Sequence, residues 1–315
     1  MPSIRFHALS CRIRQARMPF LLSLALAWAI GTTKKAASDD GPVARAAIAR
    51  LTTDGHFKQR PAWSPDGRRL VFARHADDTI WLFLLDPETG EEHRLTKRDA
   101  PEYDADWSPD GQRLAFGHVA QTPGQGDVDL HTIKPDGSDD QLVAGNINGL
   151  SHQEWPSWSP DGQRIYFTST SPGNQEVMAA APDGGSPRQL TQHLGIDAHP
   201  ACSPDGRQIA FATDRWGGLE IAVMQADGSQ VQRLTESAGL DDYPAWSPDG
   251  GRLAFVSNRD GNYEIYVMQA DGSQPGNVTQ SPAMDTFPTW TRDGQGITFV
   301  SDRDEQFEIY TLKVE

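Results

Sequence analysis

The sequence predicts an all-β protein, a six-bladed β-propeller of four-stranded blades in which an N-terminal strand completes the last blade. Three observations lead to this prediction: a motif that recurs six times, four short predicted strands in each repeat, and complementary ends of the repeat array. A fixed period of this size, with one turn motif per repeat, is typical of propellers and solenoids.

The recurring motif is Pro-x-Trp-Ser-Pro-Asp-Gly, which stands unaltered at residues 61–67, 156–162 and 244–250. The third residues of the six copies lie at intervals of 44, 51, 44, 44 and 44: Trp63, Trp107, Trp158, Cys202, Trp246 and Trp290. Ser-Pro-Asp-Gly has the residue preferences of a type I turn, so its aspartates are predicted to form turns. We expect each tryptophan to bury about 150–250 Å² against a neighbouring blade. Cys202 is predicted to be a small buried side chain.

The fifth repeat illustrates the four strands. Residues 245–247 predict a first strand, 253–257 a second, 263–268 a third, and a fourth ends at 278–279, with polar or glycine-containing turns between them. The sixth repeat stops after its third strand, 307–313. Residues 48–52 read Ile-Ala-Arg-Leu-Thr, like the ends of other fourth strands. We therefore predict that this segment pairs with 307–313 and closes the ring.

The N-terminus differs in character from the repeats. Residues 1–17 contain four arginines and no acidic residue, an apolar run covers 19–30, and Ala27-Trp28-Ala29 fits a small-residue cleavage site. These features predict a signal peptide over 1–29, a linker over 30–46 and the propeller over 47–315. An uncleaved leader that tethers the chain to the membrane is the alternative. The apolar run is shorter than the ~20 residues of a transmembrane helix, so no transmembrane segment is expected.

The chain is acidic, with a formal net charge of −15 and a mean hydropathy of −0.56. A duplex nucleic-acid partner would call for a basic stripe, so nucleic acid is not expected as a partner. The charge fits a basic protein partner, a cation or plain solubility. A secreted or periplasmic monomer is expected.

The repeat as a whole resembles the TolB-type propeller repeat: Pro-x-Trp-Ser-Pro-Asp-Gly, then an apolar strand, Ile-Tyr-Val-Met, Asp-Gly-Ser and Arg-Leu-Thr. The resemblance covers residues 48–315. It implies a periplasmic propeller that works by protein–protein contact in the Tol–Pal envelope system, with an opening of the propeller presented to a peptidoglycan-associated lipoprotein. Family members carry an α/β domain before the propeller. Only about 18 residues separate Ala29 from the closing strand here, fewer than the ~50 of a small domain, so that domain is not expected in this chain.

Strand direction predicts two different faces. The Ser-Pro-Asp-Gly and Asp-Gly-Ser turns share one face, and the loops between second and third strands and between blades share the other, which we call the long-loop face. The seven extra residues between Trp107 and Trp158 fall in loops of the long-loop face, around 120–126 and 144–149. Repeat proteins usually bind through such a face.

The candidate binding residues lie three and five positions before each repeat tryptophan, at the predicted channel rim. They pair an aromatic ring with a carboxylate in several blades, which suits a basic or amphipathic protein segment, or a cation. The alternative is that each aspartate only caps a turn. The predicted binding set is Trp155, Asp197, His199, Asp241, Tyr243, Asp285 and Phe287. Arg215, Arg259 and Arg303 are predicted to form exposed pairs with Asp214, Asp260 and Asp302.

Several functional classes lack a motif in this sequence. It contains no Gly-x-Ser-x-Gly elbow, His-Glu-x-x-His or paired Cys-x-x-Cys, so no catalytic residue, metal site or cofactor is predicted. The sequence favours a non-catalytic propeller that binds a protein or peptide. The rival hypotheses are a metal-dependent polysaccharide lyase or hydrolase, and an extracytoplasmic sensor. The lyase would need loop histidines to converge, drawn from His56, His75, His118, His152 and His199.

Overall fold

The computed structural model describes residues 48–76, 79–120, 127–145, 151–185 and 187–314. Its strands form six antiparallel sheets of four strands each. The first strands of successive blades contact one another in turn, and that of the first blade also contacts that of the sixth, so the sheets form a closed ring. The predicted six-bladed propeller is confirmed. No helix long and apolar enough to cross a membrane occurs in this part of the chain.

In blades 1 to 5 the four strands follow one another in chain order from the channel outwards. Blade 1 contains β2 (Lys58–Trp63), β3 (Leu70–Ala76), β4 (Thr79–Asp86) and β5 (Glu91–Arg94). Blade 2 contains β6 (Glu102–Trp107), β7 (Leu114–Val119), β8 (Val128–Ile133) and β9 (Gln141–Ala144). Blade 3 contains β10 (Gln153–Trp158), β11 (Ile165–Ser169), β12 (Glu176–Ala180) and β13 (Arg188–Gln189).

The other three blades follow the same plan. Blade 4 contains β14 (Asp197–Cys202), β15 (Gln208–Thr213), β16 (Glu220–Gln225) and β17 (Gln232–Arg233). Blade 5 contains β18 (Asp241–Trp246), β19 (Arg252–Ser257), β20 (Glu264–Gln269) and β21 (Gly276–Asn277). Blade 6 contains β22 (Asp285–Trp290), β23 (Gly296–Ser301), β24 (Glu308–Lys313) and, as its outer strand, β1 (Ile48–Arg50).

The N-terminal strand closes the ring as predicted. β1 runs antiparallel to β24, with Ile48 opposite Leu312 and Arg50 opposite Tyr310. The Leu51 N–H continues the pairing by donating to the Ile309 carbonyl at 2.8 Å. Because the first and last parts of the chain share one sheet, the sixth blade has no unpaired edge at β24.

The core lies mainly between blades. The indole N–H groups of Trp107, Trp246 and Trp290 donate to backbone carbonyls of the preceding blade, at 3.1–3.2 Å. Trp107, Trp158 and Trp290 are each less than one-tenth exposed. Trp63 and Trp246 are half-buried. The five repeat tryptophans thus pack their blades onto the blades before them, as expected of core residues, whereas blade 4 has Cys202 at this position.

The Ser-Pro-Asp-Gly segments form turns on one face of the ring, here called the turn face. In blade 5, Gly250 N–H donates to the Ser247 carbonyl at 2.9 Å, and Gly250 has a φ of 71°. The Asp249 carboxylate accepts hydrogen bonds from the Ser247 hydroxyl and the Gly251 N–H. Equivalent carboxylates do the same in the other blades, so the turn-forming role predicted for these aspartates is confirmed.

Some predictions concern residues outside the described ranges. The leader over 1–29, the linker over 30–46 and most of the extra loop residues around 120–126 and 144–149 lie there. The inner strand is also longer than the sequence indicates: in blade 5 it begins at Asp241 rather than at 245. Pro244 breaks the regular pattern because proline cannot donate to a strand ladder, and this obscured the first half of the strand.

Candidate functional site

Every inner strand contains the same irregularity at its centre. In all six blades the pairing register shifts between the second and fifth residues of the strand. The third residue has a positive φ of 46–56° in every case, although none is glycine: Arg60, Asp104, Trp155, His199, Tyr243 and Phe287. Such a bulge re-aims a side chain, and a positive φ is unfavourable for bulky residues. The same conformation recurs in all six blades, so it is a property of the repeat and not of one blade.

These third residues meet at the axis of the propeller and form what we call the central plug. The rings of Trp155 and His199 lie 4.4 Å apart, those of His199 and Tyr243 4.4 Å, and those of Tyr243 and Phe287 4.9 Å. The Arg60 guanidinium lies 4.9 Å from the Trp155 ring centre. The structure therefore brings together four of the seven residues in the predicted binding set.

The three predicted carboxylates are placed elsewhere. Asp197, Asp241 and Asp285 have no exposed surface. Each forms an ion pair with an arginine of the same blade: Asp197 with Arg215, Asp241 with Arg259 at 2.7 Å, and Asp285 with Arg303 at 3.0 Å. Burial raises the pKa of Asp197 and of Asp285, and the arginines oppose that rise. These groups hold the blade together, and a partner at the surface cannot reach them.

The expected partners of the three arginines were therefore wrong. Asp214 and Asp302 accept hydrogen bonds from the backbone N–H groups of Ile196 and Met284 in the preceding inter-blade loops. Asp260 accepts from the hydroxyl of Tyr266. The spacing along the chain suggested neighbours in the loop. The strand register instead places Thr213, Ser257 and Ser301 opposite the first residues of the inner strands. Each arginine follows two residues later and reaches back to that first carboxylate.

A cavity of ≈ 400 Å³ lies on the turn side of the central plug. The plug rings form its floor, and Ser-Pro-Asp-Gly turns, with prolines such as Pro160 and Pro204, surround its mouth. Its walls come from the fifth residue of each inner strand: Ala62, Asp106, Ser157, Ala201, Ala245 and Thr289. Trp155, His199, Tyr243 and Phe287 therefore line a cavity of the turn face. The sequence could not show this, because strand direction does not reveal a bulge.

The long-loop face contains an exposed apolar group that the sequence reading missed. We call Leu194, Ile196, Trp216 and Leu240 the apolar patch; Leu194 is fully exposed and the others are 39–40% exposed. Loop contacts connect them: Ile196 and Asp214 exchange hydrogen bonds, and Gly218 lies next to Gly239. A shallow pocket of ≈ 400 Å³ adjoins Trp216 and Leu240. Blades 5 and 6 have Asp260 and Asp304 at the position of Trp216, so the repeat itself does not require an exposed aromatic side chain there.

The loop histidines have separate neighbours. His75 bonds to Gln59, His152 lies 3.4 Å from Glu154, and His199 bonds to Asp242. His118 lies beside His131, with ring centres 5.3 Å apart. In the ranges that the structure describes, no three His, Cys, Asp or Glu side chains are grouped as metal ligands.

Comparison with known proteins agrees with the fold. A "Protein TolB homolog" of Chlorobium luteolum is 30% identical over 132 residues, which cover 42% of this chain and 28% of the homologue. The match thus spans less than a third of that relative's length. The structure of a putative TolB from Agrobacterium tumefaciens aligns with a TM-score of 0.67 at 22% identity, covering 85% of this chain and 97% of the other.

A gluconolactonase of Xanthomonas campestris aligns with a TM-score of 0.68 at 19% identity, covering 87% of this chain and 91% of the other. Likeness at such identities shows the fold alone.

The family follows from a sequence match. Residues 122–242 and 235–315, together more than half of the chain, match the family described as the TolB beta propeller domain. The chain therefore belongs to the TolB β-propeller family.

Proposed function

We propose that this protein is a non-catalytic propeller, periplasmic or secreted, that binds a protein or peptide through its long-loop face. One observation carries the proposal: the apolar patch. Seven large hydrophobic side chains are exposed in the described ranges, and four of them lie in three loops of this face, before and within blade 4 and after it. Grouped exposed apolar side chains rimmed by polar ones mark interaction sites, whereas scattered ones need no explanation.

The surroundings of the apolar patch indicate the chemistry of the partner. Arg233 lies over the Trp216 ring at 5.4 Å and forms an ion pair with Glu220 at 2.8 Å, so its charge is matched within the chain. Glu236, 3.6 Å from Arg233, and Asp214, 3.3 Å from His193, lie nearby with side-chain exposures of 84% and 37%. Together with the net charge of −15, this favours an amphipathic partner segment whose polar side is basic.

The non-catalytic part of the proposal rests on the carboxylates. The acids that stood out in sequence, Asp197, Asp241 and Asp285, are buried and ion-paired with arginine. A general acid or base must reach its substrate, and these three groups are enclosed by their own blades. The family resemblance adds support, since it implies work by protein contact in the cell envelope.

Site-specific photo-crosslinking in the native host tests the proposal. A photoreactive residue at Leu194 or Leu240 should capture the same polypeptide, and the same probe at Gln295, exposed on the turn face, should not. Trp216→Ser should reduce capture at least tenfold, because an aromatic anchor is lost. The variant's melting temperature should stay unchanged, since Trp216 is a surface residue. Equal capture from Gln295, or undiminished capture by Trp216→Ser, would rule out this face as the docking site.

A further inference from the structure

Three charged side chains line the cavity of the turn face: Arg60, Asp106 and Arg292. Arg292 donates to the backbone carbonyls of Ser64 and Trp63, whereas Arg60 and Asp106 lie on inner strands. Asp106 is the only charged residue among the six wall positions, and Arg60 is the only cation among the six residues of the central plug. The other wall residues are alanine, serine or threonine, so the repeat as such does not require a carboxylate there. The charges are a feature of this chain rather than of the propeller geometry.

Neither charge is neutralised by direct contact with the other. Arg60 donates to the backbone carbonyls of Asp104, at 2.7 Å, and Pro156. Asp106 accepts the Trp158 N–H at 3.1 Å. Burial raises the pKa of Asp106, and Arg60 at a distance opposes that rise. The two side chains thus affect each other electrostatically without forming an ion pair, and both line the space between them.

Both groups keep hydrogen-bonding capacity for a ligand. A guanidinium has five N–H donors, and a carboxylate can accept about four hydrogen bonds. Arg60 uses two of its nitrogens on carbonyls, and its position over Trp155 orients the planar group toward the cavity floor. A ligand with one negative and one positive end would satisfy both charges at once, and low local polarity strengthens such contacts.

We propose that the turn-face cavity binds a small zwitterion of amino-acid size, with its carboxylate on Arg60 and its ammonium on Asp106. The cavity volume of ≈ 400 Å³ leaves room for a side chain as well. Aromatic rings of Trp155 and Tyr243 at the floor can contact the apolar part of the ligand or its cation. This site lies on the face opposite to the apolar patch and does not depend on the function proposed above.

Isothermal titration calorimetry of the purified chain tests the proposal, with the common L-amino acids as probes. Acetate, propylamine and glucose serve as comparators that carry only one charge or none. At least one amino acid should bind, and each comparator should bind at least tenfold more weakly. Quenching of tryptophan fluorescence should accompany binding because Trp155 lines the cavity.

Two variants locate the binding. Asp106→Asn keeps the shape of the side chain, and Asp106→Ser introduces the residue that blade 3 has at this position, so at least one is expected to fold. Both should lose at least tenfold in affinity. Asp227→Asn is the matched control, because it removes one charge from an exposed Asp-Gly turn of the same face. The proposal is overturned if no amino acid binds, if glucose or propylamine binds equally well, or if Asp106→Ser binds like the unaltered chain.

Discussion

A single exchange of residues marks the junction between blades 3 and 4. Elsewhere the repeat tryptophan packs with a smaller residue of the preceding blade, as Trp158 does with Ala115 and Trp290 with Ala254. At this junction Cys202 stands in the tryptophan position, and Tyr166 occupies the position of the smaller residue. The large side chain has thus moved from one blade to the other, and the interface remains filled.

Double-mutant analysis should detect this exchange. Tyr166→Ala should cost about 3–5 kcal/mol in the free energy of unfolding, because it leaves a cavity beside Cys202. Cys202→Trp should cost about 1–3 kcal/mol through overpacking. The double variant restores the arrangement of the other junctions. Its loss in the free energy of unfolding, measured by urea denaturation, should therefore be smaller than the sum of the two single losses by about 2 kcal/mol or more. Purely additive losses would show that the two residues do not share one space.

At the scale of elements, the closing strand β1 is held mainly by polar contacts. All three of its residues are exposed. Arg50 bonds to Asp304 at 3.2 Å and to Glu308 at 3.1 Å, and the Thr52 hydroxyl donates to Glu308. Glu308 also forms an ion pair with Lys58 of blade 1, and both side chains have no exposed surface. One carboxylate therefore connects β1, β24 and the first blade.

Replacing Lys58 with methionine should destabilise the ring by about 3–5 kcal/mol near neutral pH, since it removes the buried cation of Glu308 and leaves only the partly exposed Arg50 to balance that charge. Lys134→Met, at a half-exposed lysine, is the matched control. Thermal unfolding measures both. Adding Glu308→Gln to Lys58→Met should recover much of the loss. No recovery would mean that Lys58 acts through packing rather than charge.

The pH dependence of this closure has a defined sign. Burial alone would raise the pKa of Glu308, but hydrogen bonds from Lys58 and Thr52 outweigh it and lower that pKa. The stabilisation is therefore present above the ordinary glutamate pKa, near 4.5, and is lost as the pH falls through the lower folded value. The difference between Lys58→Met and the unaltered protein should accordingly shrink in acid.

At the scale of the whole molecule, the central plug exists only because six blades meet. It brings acidic groups into a buried place that no single blade would create. The pKa of Asp104 rises to about 6, chiefly because of burial, with Arg60 opposing the rise. Next to the plug, burial and the Asp104 charge raise the pKa of Glu154 to about 8. The closed ring thus favours the protonated forms of both acids.

Stability should therefore decrease as the pH rises from about 5 to 9. An acid whose folded pKa is raised favours folding only while it is protonated, so the Glu154 contribution is lost between its ordinary pKa, near 4.5, and 8. Glu154→Gln should raise the free energy of unfolding at pH 9 by a few kcal/mol, at about 1.4 kcal/mol per pKa unit. At pH 5 the effect should be small. Glu88→Gln, which removes an exposed charge, should not reproduce it.

Much of the fold followed from local pattern. The turn motif at Ser247 and Asp249, the spacing of the tryptophans and the matching ends at Leu51 and Ile309 were sufficient to predict six blades and their closure. The turn motif lies within one repeat. The tryptophans recur at so regular an interval that the number of blades follows from counting them. Turn chemistry and strand alternation act over a few residues, so they can be read from the chain directly.

The sites required the tertiary structure. Sequence indicated that Trp155, His199, Tyr243 and Phe287 lie at the channel. It showed neither the bulge that gives them a positive φ nor the cavity beyond them, which all six blades line together. Sequence likewise suggested an open acidic arc, whereas Asp241 is buried and forms an ion pair with Arg259. Local preferences set the strands and turns of each repeat. Which side chains stay exposed is decided only when all six sheets pack around one axis, because burial depends on neighbours that are far away in the chain.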